Sequence, residues 1–362
     1  MVCLFSSSLQ YTLEEVELHN TEHDAWIVIK NRVYDCTEYL ELHPGGIDSI
    51  MINAGMDATE DFVAIHSTKA TTMLERYYIG DLDTTPRDKE EPHKEVKNDS
   101  RQYALDPTKK IAFKLRSKTV LSHDSFMLEF ALQTGDTILG LPTGKHVFLS
   151  AVIAGETVMR RYTPVSSNYD VGCVRFVIKT YRPCPRFPRG GKMSQHLDSL
   201  EIGDTVDIRG PVGEFDYLSL GSFRIDGKPC HAAKFNMIAG GTGITPVMQI
   251  AAEILRSSND NTQMRLIFGC REENDILLRS VLDEWADKFP DRFQVHYILS
   301  DACPKDWKYS TGFVNRDLFE RELYPAASDV YNLMCGPPIM LEKGCIPNLE
   351  SLGHAKASIF CF

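Results

Sequence analysis

The sequence lacks any long apolar run. None of its 362 residues fall in an uninterrupted apolar stretch of the length that a transmembrane helix needs, about 20 residues. The opening MVCLFSSSLQ has no basic segment, and its apolar stretch is too short for a secretory signal peptide. These absences argue against a membrane protein and against export.

Paired cysteines are also missing. The ten cysteines are scattered along the chain, and none forms a Cys-x-x-Cys pair. A disulfide framework in a small secreted domain would be expected to show regular cysteine spacing. We therefore predict reduced thiols and a cytoplasmic protein.

Basic residues are in deficit, which gives a formal net charge of -11. Residues 10–84 hold fifteen Asp or Glu and only four Lys or Arg, so this segment accounts for the whole excess. An acidic domain tethered to a neutral one indicates a solvated surface. We predict neither a nucleic-acid partner nor a membrane partner.

Changes in patterning divide the chain into five segments, without internal repeats. Residues 1–9 are predicted as a disordered leader. Residues 85–108 are predicted as a flexible linker, because this charged stretch is almost free of large apolar residues. Residues 10–84 mix short strands with short helices, which predicts an α+β domain.

The remaining segments follow two different periodicities. Residues 109–230 alternate apolar and polar positions between Gly, Pro and Asp turns, which predicts an antiparallel β-barrel. Residues 231–362 alternate strands with helices, which predicts an α/β domain with a parallel sheet. Across the three domains, strands are predicted at residues 25–29, 32–34, 114–120, 126–132, 146–150, 174–180, 205–209, 235–239, 265–269, 294–299 and 330–334, and helices at 246–256, 276–289 and 315–323.

Two histidines stand out in the first domain, His43 in the run HPGG and His66 in the run AIHS. Neutral imidazole is a standard axial ligand of haem iron. A zinc site would need further ligands, and none occur at a suitable spacing. The glycines after His43 would let the backbone approach a flat ligand closely. A dry pocket is predicted from Leu40, Leu42, Ile47, Ile50, Phe62, Val63, Ile65, Met73 and Leu74.

Nearly all of residues 10–82 resemble cytochrome b5, through these two runs and through Trp26. The resemblance implies haem b with His43 and His66 as its metal ligands. Because both axial positions would then be filled, outer-sphere electron transfer is the expected chemistry rather than oxygen activation.

The second domain contains three motifs: RRYTPVSS at 160–167, VIKTY at 177–181 and GGKMS at 190–194. A flavin needs an aromatic face and hydrogen bonds for its ring, and cations and backbone N–H groups for its pyrophosphate. Tyr162 and Thr163 suit the ring, and Arg160 and Lys192 suit the phosphates. Glycines before a short helix are predicted to leave N–H groups free for phosphate.

The whole segment resembles the FAD-binding domain of the ferredoxin reductase superfamily, and cytochrome b5 reductase in particular. Thr163 and Lys179 are expected to take part in catalysis. Two departures from the family are Arg161, where a small residue or proline is usual, and the stretch 181–187, which is about two residues shorter. The implied FAD contacts are Arg160, Tyr162, Thr163, Val177, Lys179, Tyr181, Phe187, Gly191, Lys192, Met193, Ser194 and Thr245.

The third domain contains GGTGITP at 240–246 and CGPP at 335–338, each after a predicted strand. Glycines at a strand-to-helix turn present N–H groups and the positive helix end to a pyrophosphate, and Pro246 is expected near the first helical position. The two motifs resemble the NADH domain of the same superfamily. Cys335 is expected to position hydride transfer rather than to act as a nucleophile. The implied NADH contacts are Gly240, Gly241, Thr242, Gly243, Asp275, Cys335, Gly336 and Pro337.

The choice between NADH and NADPH depends on the residues after the strand predicted at 265–269. Asp275 matches the family's acidic residue near the adenine ribose, and an acid there would repel a 2′-phosphate. Arg271 could instead bind that phosphate. The acid favours NADH.

The order of domains resembles the C-terminal part of eukaryotic assimilatory nitrate reductase. We expect NADH to reduce FAD, FAD to pass single electrons to haem b, and the haem to serve a molybdenum-containing nitrate-reducing domain upstream of this chain. The molybdenum cofactor is expected only with that domain, and a homodimer is compatible with the resemblance. Two alternatives stay open: a stand-alone cytochrome b5/b5-reductase fusion that serves another acceptor, and a haem- and nucleotide-binding sensor without turnover.

Overall fold

A computed structural model describes residues 9–44, 46–51, 53–59, 62, 66, 68–83, 102–185, 188–301 and 303–362 of the protein. These residues fall into two compact units. The first unit takes in the described residues up to 83 together with residues 150–161, and the second takes in residues 102–149 and the described residues from Tyr162 onward. Among the described residues, no helix is both long and apolar enough to cross a bilayer.

A mixed six-stranded sheet organises the first unit. Its strands follow the spatial order Gln10–Tyr11, Tyr78–Leu82, Arg32–Asp35, Asp24–Ile29 and Asn20–Thr21, with Met56–Asp57 paired to Asp24–Ile29. Its described helices are Leu13–Glu17, Ile47–Met51 and Thr68–Leu74, with 3-10 turns at Thr37–Tyr39 and Glu75–Tyr77. The predicted α+β fold of this segment is confirmed.

Alternation along strand Asp24–Ile29 divides its side chains between two cores. Successive side chains of a strand point to opposite faces. Ala25 and Ile27 therefore join one buried cluster, and Val28 joins the other, with Trp26 packed beside it. Because both faces of this strand are covered, it is apolar at nearly every position.

A second six-stranded sheet matches the barrel prediction. Its strands follow the order Glu156–Tyr162, His146–Ile153, Thr205–Val212, Ile111–Val120, Ser125–Ala131 and Cys173–Lys179. Strand Ile111–Val120 is antiparallel to both of its neighbours. Phe113 and Leu115 on this strand are buried, whereas Lys114 and Arg116 are exposed, which is the alternation that the sequence predicted. Helix Lys192–Ser199 precedes strand Thr205–Val212.

A separate three-stranded sheet comes next in the chain. It consists of Phe215–Ser219, Ser222–Ile225 and Lys228–His231. Phe215 and Phe223 stack with their ring centres 5.1 Å apart, and both belong to the same buried cluster as Phe235 of the following domain. This small sheet therefore shares its core with the parallel sheet.

A parallel six-stranded sheet forms the rest of the second unit. Its order is Ser310–Thr311, Phe293–Leu299, Gln263–Cys270, Lys234–Gly240, Val330–Cys335 and Ile359–Cys361, and every neighbouring pair is parallel. Its helices are Ile244–Arg256, Arg279–Lys288, Arg316–Glu322 and Ile346–Ser351, with a π-helix at Met340–Cys345 and 3-10 turns at Gly241–Gly243, Glu273–Asp275 and Lys356–Ser358.

All the predicted strands are confirmed, with ends shifted by at most three residues. Two helices begin at residues other than the predicted ones, for local reasons. The helix predicted from residue 276 begins at Arg279, because Leu278 adopts a left-handed φ of +55°. Pro246 is the third helical residue rather than the first, because the helix begins at Ile244. The first four N–H groups of a helix have no intrahelical partner, so proline sacrifices no bond at either position.

Tyr217→Phe is expected to lower the free energy of unfolding of the second unit by about 1.5–3 kcal/mol, the usual worth of a hydrogen bond to a charged group. The buried carboxylate of Asp260 accepts from the Tyr217 hydroxyl at 2.5 Å, the Leu220 N–H at 2.8 Å and the Thr262 hydroxyl at 2.6 Å. Burial opposes ionisation of Asp260, but these hydrogen bonds hold its pKa below the ordinary value. Thermal unfolding of the full chain measures the loss.

The matched control is Tyr331→Phe. The Tyr331 hydroxyl donates to the Ala357 carbonyl at 2.9 Å near the surface, so no buried charge loses a donor. This variant should change stability by no more than about 0.5 kcal/mol. Equal losses in the two variants would contradict the special role of the buried carboxylate.

Candidate functional site

The rings of His43 and His66 face each other in the first unit. Their centres are 5.9 Å apart, with an interplanar angle of 37°. With metal–nitrogen bonds of about 2 Å, two imidazoles on opposite sides of one metal ion would place their ring centres roughly 6 Å apart. The observed spacing therefore suits a shared ion between the rings.

Backbone hydrogen bonds select the tautomer of both rings. Nδ1 of His43 lies 3.2 Å from the Gly46 carbonyl oxygen, and Nδ1 of His66 lies 3.1 Å from the Phe62 carbonyl oxygen. A carbonyl only accepts, so Nδ1 carries a hydrogen in each ring, and in the neutral form Nε2 keeps its lone pair. Such an outward bond from the non-ligating nitrogen is the usual support of a metal-bound histidine.

An apolar shell surrounds the pair. Phe62 stacks on His66 with ring centres 4.2 Å apart, and Leu40 and Ile50 are buried nearby in the same core. Burial lowers the pKa of His66, which favours the neutral ring. Leu42 is 69% exposed, so its predicted place in the pocket is wrong. Leu74 is buried, Ile47 is partly buried against the core, and Met73 accepts a weak hydrogen bond from the Tyr39 hydroxyl.

Gly45, Val63 and Ile65 lie outside the described residues. In the part of the chain that the structure describes, neither His43 nor His66 belongs to a cluster of three or more potential metal-ligating side chains.

The flavin-type residues lie at strand ends and on a short helix. Tyr162 ends strand Glu156–Tyr162, with its ring edge-on to Phe176 at 6.4 Å, and Thr163 follows directly. Arg160 donates to the Met159 carbonyl at 2.6 Å. Val177, Met193, Ser194 and Thr245 are each at most 8% exposed. Phe187 lies outside the described residues.

The glycine pair before helix Lys192–Ser199 is clamped to Tyr181. Gly191 N–H donates to the Tyr181 carbonyl at 2.8 Å, and the Ser194 hydroxyl accepts from Tyr181 N–H at 3.1 Å. A Cβ on Gly190 would lie 2.4 Å from that carbonyl oxygen. The prediction that both glycine N–H groups stay free for phosphate is therefore wrong for Gly191, because the close approach to Tyr181 uses it. The helix itself has no side-chain N-cap.

Lys179 and Asp275, predicted to contact different cofactors, contact each other. The Lys179 ammonium lies 2.9 Å from a carboxylate oxygen of Asp275 and 2.9 Å from one of Asp124. No sequence motif marks Asp124 or its neighbour His123, so the sequence does not predict a role for either residue. Ligand atoms of His123, Asp124 and Asp275 lie within 4.8 Å of one another. Lys179 supplies a cation to both carboxylates.

The two nucleotide-type loops meet at the carboxyl edge of the parallel sheet. A Cβ on Gly243 would lie 2.2 Å from the Cys335 carbonyl oxygen, and one on Gly240 would lie 2.8 Å from Pro337. A Cβ on Gly336 would lie 3.2 Å from Cα of Gly240, which is a tight but looser contact. These glycines are required by loop-to-loop contact. Gly241 differs, because it has a φ of +55° and open space beside its Cα.

The side chains at and around this edge also bear on what the site can bind. Burial raises the pKa of Cys335 to about 12, which favours the neutral thiol. The Tyr181 and Thr242 hydroxyls are 3.3 Å apart, which connects the flavin-type segment to the glycine loop. Arg271 makes two 2.8 Å contacts to one oxygen of Asp301.

Comparisons with known proteins assign each segment. The model of the cytochrome b5-like haem/steroid binding domain matches residues 12–83, that of the oxidoreductase FAD-binding domain matches 112–217, and that of the oxidoreductase NAD-binding domain matches 237–345. The cytochrome b5 reductase domain of Ulva prolifera nitrate reductase is 41% identical, with a TM-score of 0.70 over 72% of this chain and 100% of that chain. The chain belongs to the cytochrome b5 reductase family.

This family member is an oxidoreductase with haem, FAD and NAD domains in that order. Its reductase part also resembles the CS-b5R domains of human Ncb5or, at 26% identity and a TM-score of 0.56 over 70% of this chain and 69% of that chain. Over 96% of its length the chain is 45% identical to inducible NADH nitrate reductase 2 of Glycine max and 46% identical to NADH nitrate reductase 1 of Phaseolus vulgaris. It spans 41% of the length of each of these relatives.

Gly243→Ala is expected to destabilise the second unit by about 1–3 kcal/mol, the usual cost of overpacking. The added methyl would lie 2.2 Å from the Cys335 carbonyl oxygen, so one loop must move. Thermal unfolding of the full chain is the measurement. Gly135→Ala, with no atom within 4 Å of the new methyl, is the control. A Gly243 variant as stable as the control would contradict the loop contact.

Proposed function

We propose that this chain transfers electrons from NADH through FAD to haem b and supplies them to a molybdenum-containing nitrate-reducing domain. The observation that carries the proposal is the opposed pair of His43 and His66 in one chain with matched FAD- and NAD-binding domains. The plant relatives, which are named NADH nitrate reductases, support nitrate as the final acceptor of the whole protein. The molybdenum cofactor would belong to the part of such a protein that this chain does not span.

We propose that His43 and His66 would hold the iron of haem b. The ring spacing of 5.9 Å and the Nε2 lone pairs left by the two backbone hydrogen bonds support this role. Bound haem would supply a one-electron carrier. A haem held by both His43 and His66 would not bind oxygen, and the apolar shell that includes Leu40 and Phe62 would limit access of water.

We propose that FAD lies against helix Lys192–Ser199 and against the six-stranded sheet that contains Ile111–Val120, here called the flavin-binding sheet. The basic residues and the uncapped helix end support a pyrophosphate site, since an anion is stabilised at the positive end of a helix. Bound FAD would convert between two-electron and one-electron transfer. The proposed contacts are Arg160, Tyr162, Thr163, Val177, Lys179, Tyr181, Phe187, Gly191, Lys192, Met193, Ser194 and Thr245.

We propose that NADH binds across the two glycine loops, with Asp275 beside the adenine ribose. The preference for NADH over NADPH is supported by Arg271, because its pairing with Asp301 would have to break before it could bind a 2′-phosphate. Cys335 stays a neutral thiol and shapes the nicotinamide site, with Thr163 and Lys179 as the other residues proposed for catalysis. The remaining contacts would be Gly240, Gly241, Thr242, Gly243, Gly336 and Pro337.

A cytoplasmic location and a homodimer complete the proposal. Nine described cysteines are free thiols, as expected in a reducing compartment. The dimer is proposed from the family resemblance alone.

His43→Ala and His66→Ala are each expected to abolish stable haem binding, because each variant removes one of the two histidines that would hold the iron. The ratio of haem absorbance to protein absorbance in the purified full chain is the measurement. His19→Ala is the control, since His19 lies in the same unit but stacks on Trp26 at 3.5 Å. Undiminished haem content in both ligand variants would overturn the assignment.

Anaerobic addition of NADH to the full chain is expected to bleach the flavin absorbance and then to reduce the haem. In His43→Ala, only the flavin should respond, because the electron acceptor is missing. A wild-type chain whose haem stays oxidised would contradict the proposed electron transfer. Absence of any response would favour a binding module without turnover.

A further inference from the structure

Three half-buried charged side chains connect the flavin-binding sheet to the parallel sheet inside the second unit. Lys179 lies between Asp124 and Asp275, 2.9 Å from each. The three side chains are only 19%, 16% and 11% exposed, in that order. Two carboxylates and one ammonium leave a net charge of -1 at this point.

Each carboxylate is held independently of the lysine. The Asp124 carboxylate accepts from the Ser122 and Ser125 hydroxyls at 3.2 and 2.9 Å, and its backbone carbonyl accepts from Thr180 N–H at 2.7 Å. The other carboxylate oxygen of Asp275 accepts from Glu272 N–H at 3.3 Å. Lys179 is therefore shared between two fixed acids.

Asp275 lies where the second nucleotide strand ends. Strand Gln263–Cys270 is the parallel neighbour of Lys234–Gly240, which leads into the glycine loop. In dinucleotide-binding folds, an acid beyond this second strand accepts from the 2′-hydroxyl of the adenine ribose, and a nearby arginine accommodates a 2′-phosphate. A 2′-phosphate at this place would need a cation.

The cations around this turn already have acidic partners. Arg271 pairs with Asp301, and Arg279 pairs with Glu273 at 2.5 Å. Lys179 has two partners, one of which comes from the flavin-binding sheet. The Asp124 carboxylate therefore determines whether the positive charge of Lys179 is neutralised or is available to attract a group on the ribose.

We propose that Asp124 determines which nicotinamide nucleotide binds. Asp124 acts through Lys179, and its effect is to exclude the 2′-phosphate of NADPH. This inference rests on the proposed function, in which Asp275 faces the adenine ribose. Asp124 neutralises one side of Lys179, so the charge at the ribose stays negative and repels a second negative group. A residue of the flavin-binding sheet thereby sets the choice made in the neighbouring domain.

The test is Asp124→Asn in the full chain loaded with haem and FAD. NAD+ and NADP+ are titrated separately, and the two dissociation constants are measured calorimetrically. The ratio of the NADP+ constant to the NAD+ constant is expected to fall about tenfold, since a repulsive charge becomes neutral. The fall should come mainly from tighter NADP+ binding, and the ratio of kcat/KM values for NADH and NADPH should follow it.

Asp170→Asn is the matched control. Asp170 is a half-buried carboxylate of the same segment that pairs with Arg175, away from the three charges. In Asp170→Asn, the ratio of the NADP+ dissociation constant to the NAD+ dissociation constant should equal that of the wild-type chain. A ratio in Asp124→Asn that matches the control would overturn the role of Asp124. A wild-type chain that binds both nucleotides equally would instead overturn the proposed preference for NADH.

Salt provides a second measurement that needs no folded variant. If charge repulsion excludes the 2′-phosphate, the wild-type ratio should fall between about 0.02 M and 0.5 M salt, where the screening length shortens several-fold. A wild-type ratio independent of salt would overturn the proposal.

Discussion

The contact between two glycine loops at the carboxyl edge of the parallel sheet is the constraint on which the reductase site depends. Strands Lys234–Gly240 and Val330–Cys335 pair in parallel from their first residues, so they end at the same level. Gly243 and Gly336 then let backbone meet backbone. Side chains at these positions would separate the loops, and the motifs that follow the two strands would no longer face one space. Packing therefore explains glycines that are usually credited to phosphate binding alone.

The histidine pair follows a different physical logic. It depends on two local hydrogen bonds, from Nδ1 of His43 to the Gly46 carbonyl and from Nδ1 of His66 to the Phe62 carbonyl. Each bond sets the tautomer and holds the ring, while the core beneath supplies burial. The haem-type site is thus contained in the first unit, whereas the nucleotide site depends on segments far apart in the chain.

Charge pairing is one of the links between the flavin-binding sheet and the nucleotide domain. Lys179 ends a strand of the first and reaches Asp275 after a strand of the second. Burial alone would lower the pKa of this lysine, but its two acidic partners raise it, so the ammonium persists. Breaking the ion pairs of a buried cation is costly, because an unpaired charge would remain. The same contact can therefore serve both domain packing and nucleotide choice.

The sequence by itself determined the strands, the order of domains and the paired histidines, because period-two alternation and the runs HPGG and AIHS are local signals. It did not reveal that Leu42 is exposed to solvent, that Gly191 N–H donates to the Tyr181 carbonyl, or that Pro246 is the third residue of its helix. Those facts depend on where neighbouring segments lie. The tertiary structure alone brought Asp124 to Lys179, since they are 55 positions apart in the sequence and no motif marks the aspartate. Such pairing is decided by which strands become neighbours, and linear spacing carries no record of it.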